Sequence, residues 1–185
     1  MDFSRFNRAV RLASIAHKNQ FRKGTKIPYI THPYSVGMLL AQTGCSEEAI
    51  IAGILHDTVE DTKLTDGRIR YLFGEKIAVI VAGCSEHDKK LEWKKRKEHT
   101  IAHIKSASLE VKQVTCADKL HNITSMLEDY SKCGEALWIR FNAGRSDQEW
   151  YYRSLAAALS EGDFKSHKLS VHFNEAVSKL FPKSN

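Results

Sequence analysis

A chain of 185 residues with 42% apolar side chains, three prolines and ten glycines can build one domain of long helices joined by short connections. Its net charge of +6 favours an acidic partner: a phosphorylated small molecule, a nucleic acid or a membrane surface. No apolar run approaches the roughly 20 residues of a membrane span, and Met-Asp-Phe-Ser is no signal peptide, so a cytoplasmic protein is expected.

Phe3, Phe6, Val10, Ala13, Ile15 and Ala16 recur at helical spacing and predict a first helix to about Asn19. The segment from Gln20 to Pro33, punctuated by Gly24, Pro28 and Pro33, reads as a loop that delivers His32 to the next helix, with Pro33 in its first turn. That helix runs from Tyr34 to about Thr43 and stops at Gly44. Ser46 is the expected N-cap of the following one, with Glu47 and Glu48 in its first turn.

The next helix carries the densest chemistry in the chain, Ala52-Gly-Ile-Leu-His-Asp-Thr-Val-Glu-Asp-Thr62. If it continues as one buried helix, His56, Asp57, Glu60 and Asp61 fall at roughly 0°, 100°, 40° and 140° around it and share one wall. Three acids so close repel one another unless a cation or shared protons offset them. A solvated helix end is the plain alternative, and the apolar residues Ile50, Ile51, Ile54 and Leu55 just before it argue against that.

Further on, helices are expected at Asp66–Phe73 and, after Gly74, across Ile77 to Val81. Glu86 to His99 is dense in charge (Lys89, Lys90, Lys94, Lys95, Arg96, Lys97) and reads as a solvated face or mobile loop, except that Trp93, Arg96 and Lys97 share an inward spacing. Val111, Val114, Cys116 and Ala117 open another buried helix, which runs on through Asp118 to Leu127. An acid directly after Cys116-Ala117 is too costly to bury alone, so a metal or basic partner is expected opposite Asp118. Trp138, Ile139 and Phe141 form one aromatic cluster and Trp150, Tyr151 and Tyr152 another, more in the manner of core than of a ligand platform. A last helix at Lys168 to Leu180 puts Leu169, Phe173, Ala176, Val177 and Leu180 on one face. The four cysteines (Cys45, Cys84, Cys116, Cys133) are widely spaced, with no C-x-x-C, as expected of reduced thiols. The fold expected is all-α, a single compact helical bundle over residues 1–185 without repeat or linker.

His32, the His56-Asp57 pair and Asp118 come from three distant segments. Two imidazoles with two carboxylates suit manganese, iron or zinc better than magnesium. Such an ion makes a water more acidic and polarises a phosphoryl oxygen, and Glu60 and Asp61 are placed to orient that water or take its proton. No Gly-rich phosphate loop is present, so a nucleotide would be held by Arg22, Lys23, Arg96 and Lys97, the last as a rim charge.

These motifs resemble the HD-domain metal-dependent phosphohydrolases, and within them the alarmone hydrolases: the hydrolase half of RelA/SpoT proteins and the stand-alone SpoT homologues. The matching residues are Gln20-x-Arg22-Lys23, Pro28-Tyr29-Ile30-x-His32-Pro33, Leu55-His56-Asp57-x-Val59-Glu60-Asp61-Thr62, Phe73-Gly74 and Ala117-Asp118-Lys119-Leu120-His121-Asn122, across about residues 5 to 160. The resemblance implies manganese on His32, His56, Asp57 and Asp118, with water activated by Glu60 and Asp61. It further implies Arg22 and Lys23 beside the base, Asn122 on the sugar or phosphate, and removal of the 3′-pyrophosphate of (p)ppGpp to give GDP or GTP and pyrophosphate. Arg145, Trp150 and Tyr151 fall where the family has a substrate-side tyrosine. No synthetase domain follows, as in a free-standing hydrolase.

Several readings stay open at this point. The same chemistry would act on (p)ppApp or on the 2′-phosphate of NADPH, or the chain could be another HD enzyme such as a 5′-nucleotidase. A silent nucleotide sensor would not need Glu60 and Asp61 beside four intact ligands. A nucleic-acid binder would explain the lysines from Lys89 to Lys97 but none of the inward acids, so neither nucleic acid nor a membrane is the expected partner. Homo-oligomerisation is left open.

Overall fold

The computed structural model of the chain describes residues 2–86 and 90–182. Lys89, one of the lysines in the charge-dense stretch, lies outside the described residues. In chain order the α-helices are α1 (Phe3–Ala16), α2 (Thr31–Gln42), α3 (Glu47–Leu55), α4 (Thr58–Asp61), α5 (Asp66–Phe73), α6 (Glu75–Cys84), α7 (Trp93–Ser106), α8 (Leu109–Cys133), α9 (Arg145–Leu159) and α10 (Lys168–Leu180). Short 3-10 segments occupy Gly134–Arg140 and Gly162–Ser166. Among the described residues the one β-type pairing is an isolated bridge between Phe21 and Pro28, and the fold is all-α as expected.

Two compact units divide the chain: Met1–Ser85 with Ser108–Asp118, and Glu86–Ala107 with Lys119–Asn185. In the first, Asp2 caps α1 by accepting from the Ser4 amide at 2.9 Å, and Arg5 reaches the last carbonyl of α5, Phe73, at 2.5 Å. Ser46 caps α3 through the Ala49 amide, as the sequence predicts. Every residue of α3 from Ala49 to Leu55 is buried, so this helix is apolar all round and sits in the core. Its closest neighbour is α2. A Cβ on Gly37 would lie 2.7 Å from Ile54 Cγ1, and one on Gly53 would fall on the Leu40 side chain. These two glycines let α2 and α3 approach nearly backbone to backbone. Val111 of α8 closes in the same way over Gly83 of α6, where a Cβ would lie 2.8 Å from its Cγ2.

The second unit is built on α7, α9 and α10. Leu169, Phe173, Ala176, Val177 and Leu180 are all buried, the stripe expected from their spacing, and Ile104, Leu155 and Leu159 are buried as well. Trp138 stacks on Phe181 at 5.7 Å between ring centroids.

Three expectations are corrected. The first helix ends at Ala16, short of Asn19, because His17 closes it and Asn19 turns into the left-handed region at φ 71°. Ile139 is not core beside Trp138: the 3-10 turn of Gly134–Arg140 buries Leu137 and Trp138 and leaves Ile139 86% exposed. The helix carrying the chemistry is not continuous, since α3 stops at Leu55 and α4 restarts at Thr58.

The tight crossing of α2 and α3 sets the sign of two substitutions. Gly67→Ala, in open space on α5, should stabilise by up to about 1 kcal/mol through helix propensity. Gly53→Ala should destabilise by about 1–3 kcal/mol, because overpacking against Leu40 and Val36 outweighs the same gain. Urea unfolding of the two variants should give shifts of opposite sign.

Candidate active site

Two side-chain bonds flank the junction between α3 and α4. Thr58 Oγ1 donates to the Leu55 carbonyl at 2.6 Å, and His56 Nδ1 to the Gly53 carbonyl at 2.7 Å. Both side chains take up backbone acceptors three residues back, which competes with the regular helical ladder. On an unbroken helix, adjacent side chains diverge by about 100°. Here Asp57 Oδ2 comes 3.0 Å from His56 Nε2, so two neighbouring residues address one point.

His32 reaches that point from the first turn of α2, with Pro33 beside it as predicted, and Asp118 from α8. His32 Nε2 lies 3.2 Å from Asp118 Oδ1 and 3.6 Å from Asp57 Oδ2. One ligand-type atom from each of His32, His56 and Asp118 lies within 4.8 Å of the others, and all three residues are buried. The basic partner expected opposite Asp118 is therefore a pair of imidazoles.

The donor chemistry of these residues fits a divalent ion. A carbonyl can only accept, so the bond to Gly53 places a proton on His56 Nδ1 and leaves Nε2 as the lone-pair atom. His56 Nε2 is buried and makes no hydrogen bond of good geometry among the described residues. Burial lowers the affinity of His56 for a second proton, but the charge and proximity of Asp57, with Asp118 behind it, push its pKa up to about 9. Burial would raise the Asp57 carboxyl, but the charge and closeness of His56 outweigh it and hold Asp57 well below the usual carboxylate range. His32 moves the other way, driven down by burial despite Asp118. Protons on the imidazoles and a shared cation are alternative ways of balancing the same carboxylates.

Glu60 and Asp61 follow on α4, Glu60 half-buried and Asp61 exposed. The backbone of Asp61 is fixed from the preceding loop, since Gln20 Nε2 donates to its carbonyl at 2.8 Å. Gln20 Oε1 in turn accepts from His17 Nδ1 at 2.7 Å, and the buried His17 ring packs 5.0 Å from Tyr29. Tyr29 Oη donates to Asp57 Oδ2 at 2.6 Å. Burial, followed by the Asp57 charge, holds the phenol far above its ordinary pKa, so it stays a donor. Reading the residues one by one assigned no role to Tyr29, Gln20 or His17, although Gln20 and Tyr29 lie within the quoted motifs. No periodicity links a loop tyrosine to an aspartate 28 positions later.

Arg22 and Lys23 belong to the same loop, and the Arg22 guanidinium lies over the Tyr29 ring, 5.8 Å from its centroid. The remaining candidates lie in the second unit. Asn122 stands further along α8. Arg96 and Lys97 both pair with Glu86, Arg96 Nη1 at 3.4 Å from Glu86 Oε2. Lys97 is no rim charge, since its side chain is only 15% exposed and sits over the Tyr151 ring at 5.0 Å. Burial, with the neighbouring charge of Lys119, lowers its pKa against the pull of Glu86. The predicted inward face of α7 is real: Trp93, Arg96 and Lys97 are half-buried while Lys94, Lys95 and Glu98 are exposed. Trp93 meets Trp150 at 6.3 Å and Tyr151 at 6.1 Å. Tyr151 and Tyr152 are buried, as the core reading of that cluster expects. Arg145 is not part of this group; it pairs with Glu135 at 3.1 Å. The four cysteines are free thiols, and no helix among the described residues is long and apolar enough to cross a membrane.

Comparison with known proteins gives a consistent result. The HD-domain family matches residues 9–148. A zebrafish (Danio rerio) protein named guanosine-3′,5′-bis(diphosphate) 3′-pyrophosphohydrolase MESH1 is 37% identical over 132 residues, covering 70% of this chain and 71% of that protein. A Haemophilus influenzae guanosine-3′,5′-bis(diphosphate) 3′-pyrophosphohydrolase is 35% identical over 121 residues, covering 62% of this chain but only 18% of the longer bacterial protein. Among solved structures, one described as a metazoan ortholog of SpoT that hydrolyses ppGpp superposes with a TM-score of 0.79, covering 98% of both chains at 23% identity, which speaks to fold alone. The chain belongs to the HD-domain family, in the branch that holds these guanosine-3′,5′-bis(diphosphate) 3′-pyrophosphohydrolases.

Proposed function

We propose that this protein is a manganese-dependent hydrolase that removes the 3′-pyrophosphate from (p)ppGpp-type nucleotides, giving GDP or GTP and pyrophosphate, and that it acts in the cytoplasm as one HD-type domain. The observation that carries this reading is the convergence of His32, His56, Asp57 and Asp118 on one buried point, with Glu60 and Asp61 directly downstream. The names of relatives that share this much sequence point to the same substrate.

In this proposal His32, His56, Asp57 and Asp118 hold the ion. A divalent ion bound there supplies a more acidic water and a polarised phosphoryl oxygen. The chain's own part is orientation and proton transfer. Gly53 fixes the tautomer of His56, so that Nε2 faces inward as a lone pair. Glu60 and Asp61, the acids of α4 directly after the ligands, orient the attacking water or take its proton. Arg22 and Lys23 bring positive charge and a flat guanidinium to the nucleotide.

Incubating the protein and Mn²⁺ with ppGpp, ppApp, NADPH and deoxynucleotides, with identification of products, tests the substrate assignment; pyrophosphate released from ppGpp in preference to the others is expected. Asp118→Ala should lose bound metal and activity together, as read by metal analysis of the purified variant. Glu60→Gln and Asp61→Asn should keep the metal and lower kcat by about 10²-fold or more, the scale of a lost acid–base group. Arg22→Lys keeps the charge and loses the planar contact, so KM for ppGpp should rise by about 5-fold, as a cation–π contact of about 1 kcal/mol implies.

A further inference from the structure

We propose that Tyr29 is a positioning residue for the metal centre, acting through Asp57, and that Gln20 and His17 brace it. The inference rests on the metal-binding reading above and adds a specific device to it.

Three observations converge on one carboxylate oxygen. Asp57 Oδ2 accepts from Tyr29 Oη at 2.6 Å, and the same oxygen faces His56 Nε2 at 3.0 Å and His32 Nε2 at 3.6 Å. A carboxylate on a two-bond side chain can present either oxygen to a site. A strong donor fixed in the wall selects one oxygen and one rotamer, and so lowers the entropy lost when an ion is bound. The phenol also makes a charge-assisted hydrogen bond, the stronger kind.

The donor is itself held. The Tyr29 ring packs at 5.0 Å against the buried ring of His17 and at 5.8 Å against His32. Gln20 links the end of α1 to α4: its amide oxygen accepts from His17 and its amide nitrogen donates to the Asp61 carbonyl. The backbone closes the same loop, with the Tyr29 amide donating to the Gln20 carbonyl at 2.8 Å. One short loop thereby sets Asp57 through a side chain and Asp61 through its backbone. The loop's chemistry needs a tyrosine and not merely an aromatic ring, because phenylalanine keeps the packing and loses the donor.

The test is a double-mutant cycle on metal affinity, read without nucleotide by competition for Mn²⁺ with a chromophoric chelator. Tyr29→Phe should weaken Mn²⁺ binding by about 10-fold or more, the size expected for a lost partner of a ligand. The thermal midpoint of its metal-free form should move by no more than about 3 °C. In an Asp57→Asn background the same substitution should have little further effect, since its route to the ion is already cut. Gln20→Glu, which loses the donor to Asp61 but still accepts from His17, should leave Mn²⁺ affinity near wild type and lower kcat at saturating metal. Tyr29→Phe with wild-type affinity overturns the assignment, and so do losses that simply add in the cycle, as a general structural role would give. Absence of Mn²⁺ uptake by the wild-type chain overturns both this inference and the metal reading. Normal uptake with no ppGpp hydrolysis overturns only the substrate assignment and leaves Tyr29 supported by its cycle.

Discussion

Two carboxylates and two imidazoles held where water scarcely reaches must be balanced by something positive. Like charges about 4 Å apart in a partly screened interior repel by about 4 kcal/mol, a large share of the net stability of a small domain. In the structure the balance is visible in the opposite behaviour of neighbours: His56 gains affinity for a proton, Asp57 loses it, and His32, farther from Asp57 than His56 is, is carried down by burial. An ion that replaced the imidazole protons would relieve the same repulsion with one particle. Metal uptake and proton release are then two sides of one equilibrium.

The geometry that creates this demand sits at the junction of α3 and α4. Adjacent side chains on a helix leave it about 100° apart, and the two at this junction keep right-handed helical dihedrals. The side chains of His56 and Asp57 nevertheless close to 3.0 Å, with His56 held at its other ring nitrogen by the Gly53 carbonyl. Beyond the junction the chain continues as α4, which carries Glu60 and Asp61.

Much of this was legible in the sequence, for identifiable reasons. Buried stripes such as Leu169 to Leu180 and capped starts such as Ser46 are local patterns, and the structure keeps them. That Asp118 would face a metal or a basic partner followed from the cost of burying an acid alone, whereas its grouping with His32, His56 and Asp57 rested on their ligand chemistry and on the family resemblance. What escaped were features set by side-chain hydrogen bonds over distance. The junction between α3 and α4 carries side-chain bonds from His56 and Thr58 that a periodic pattern does not show. The bond from Tyr29 to Asp57 spans 28 positions and leaves no mark in composition. Lys97 read as a rim charge because its partner, Glu86, lies 11 residues earlier, a separation that no helical spacing links.

The glycine contacts between α2 and α3 have a kinetic meaning. His32 opens α2 and His56 closes α3, so both imidazoles are mounted on the two helices that approach most tightly at Gly37 and Gly53. Local opening samples loosely packed, exposed segments first, and helices interlocked with the core exchange their amide hydrogens last. The imidazoles therefore ride on backbone that moves only when the core itself opens. The carboxylates of Glu60 and Asp61 stand on a four-residue helix outside that interlocked pair, tied back through the Gln20 bond to the Asp61 carbonyl.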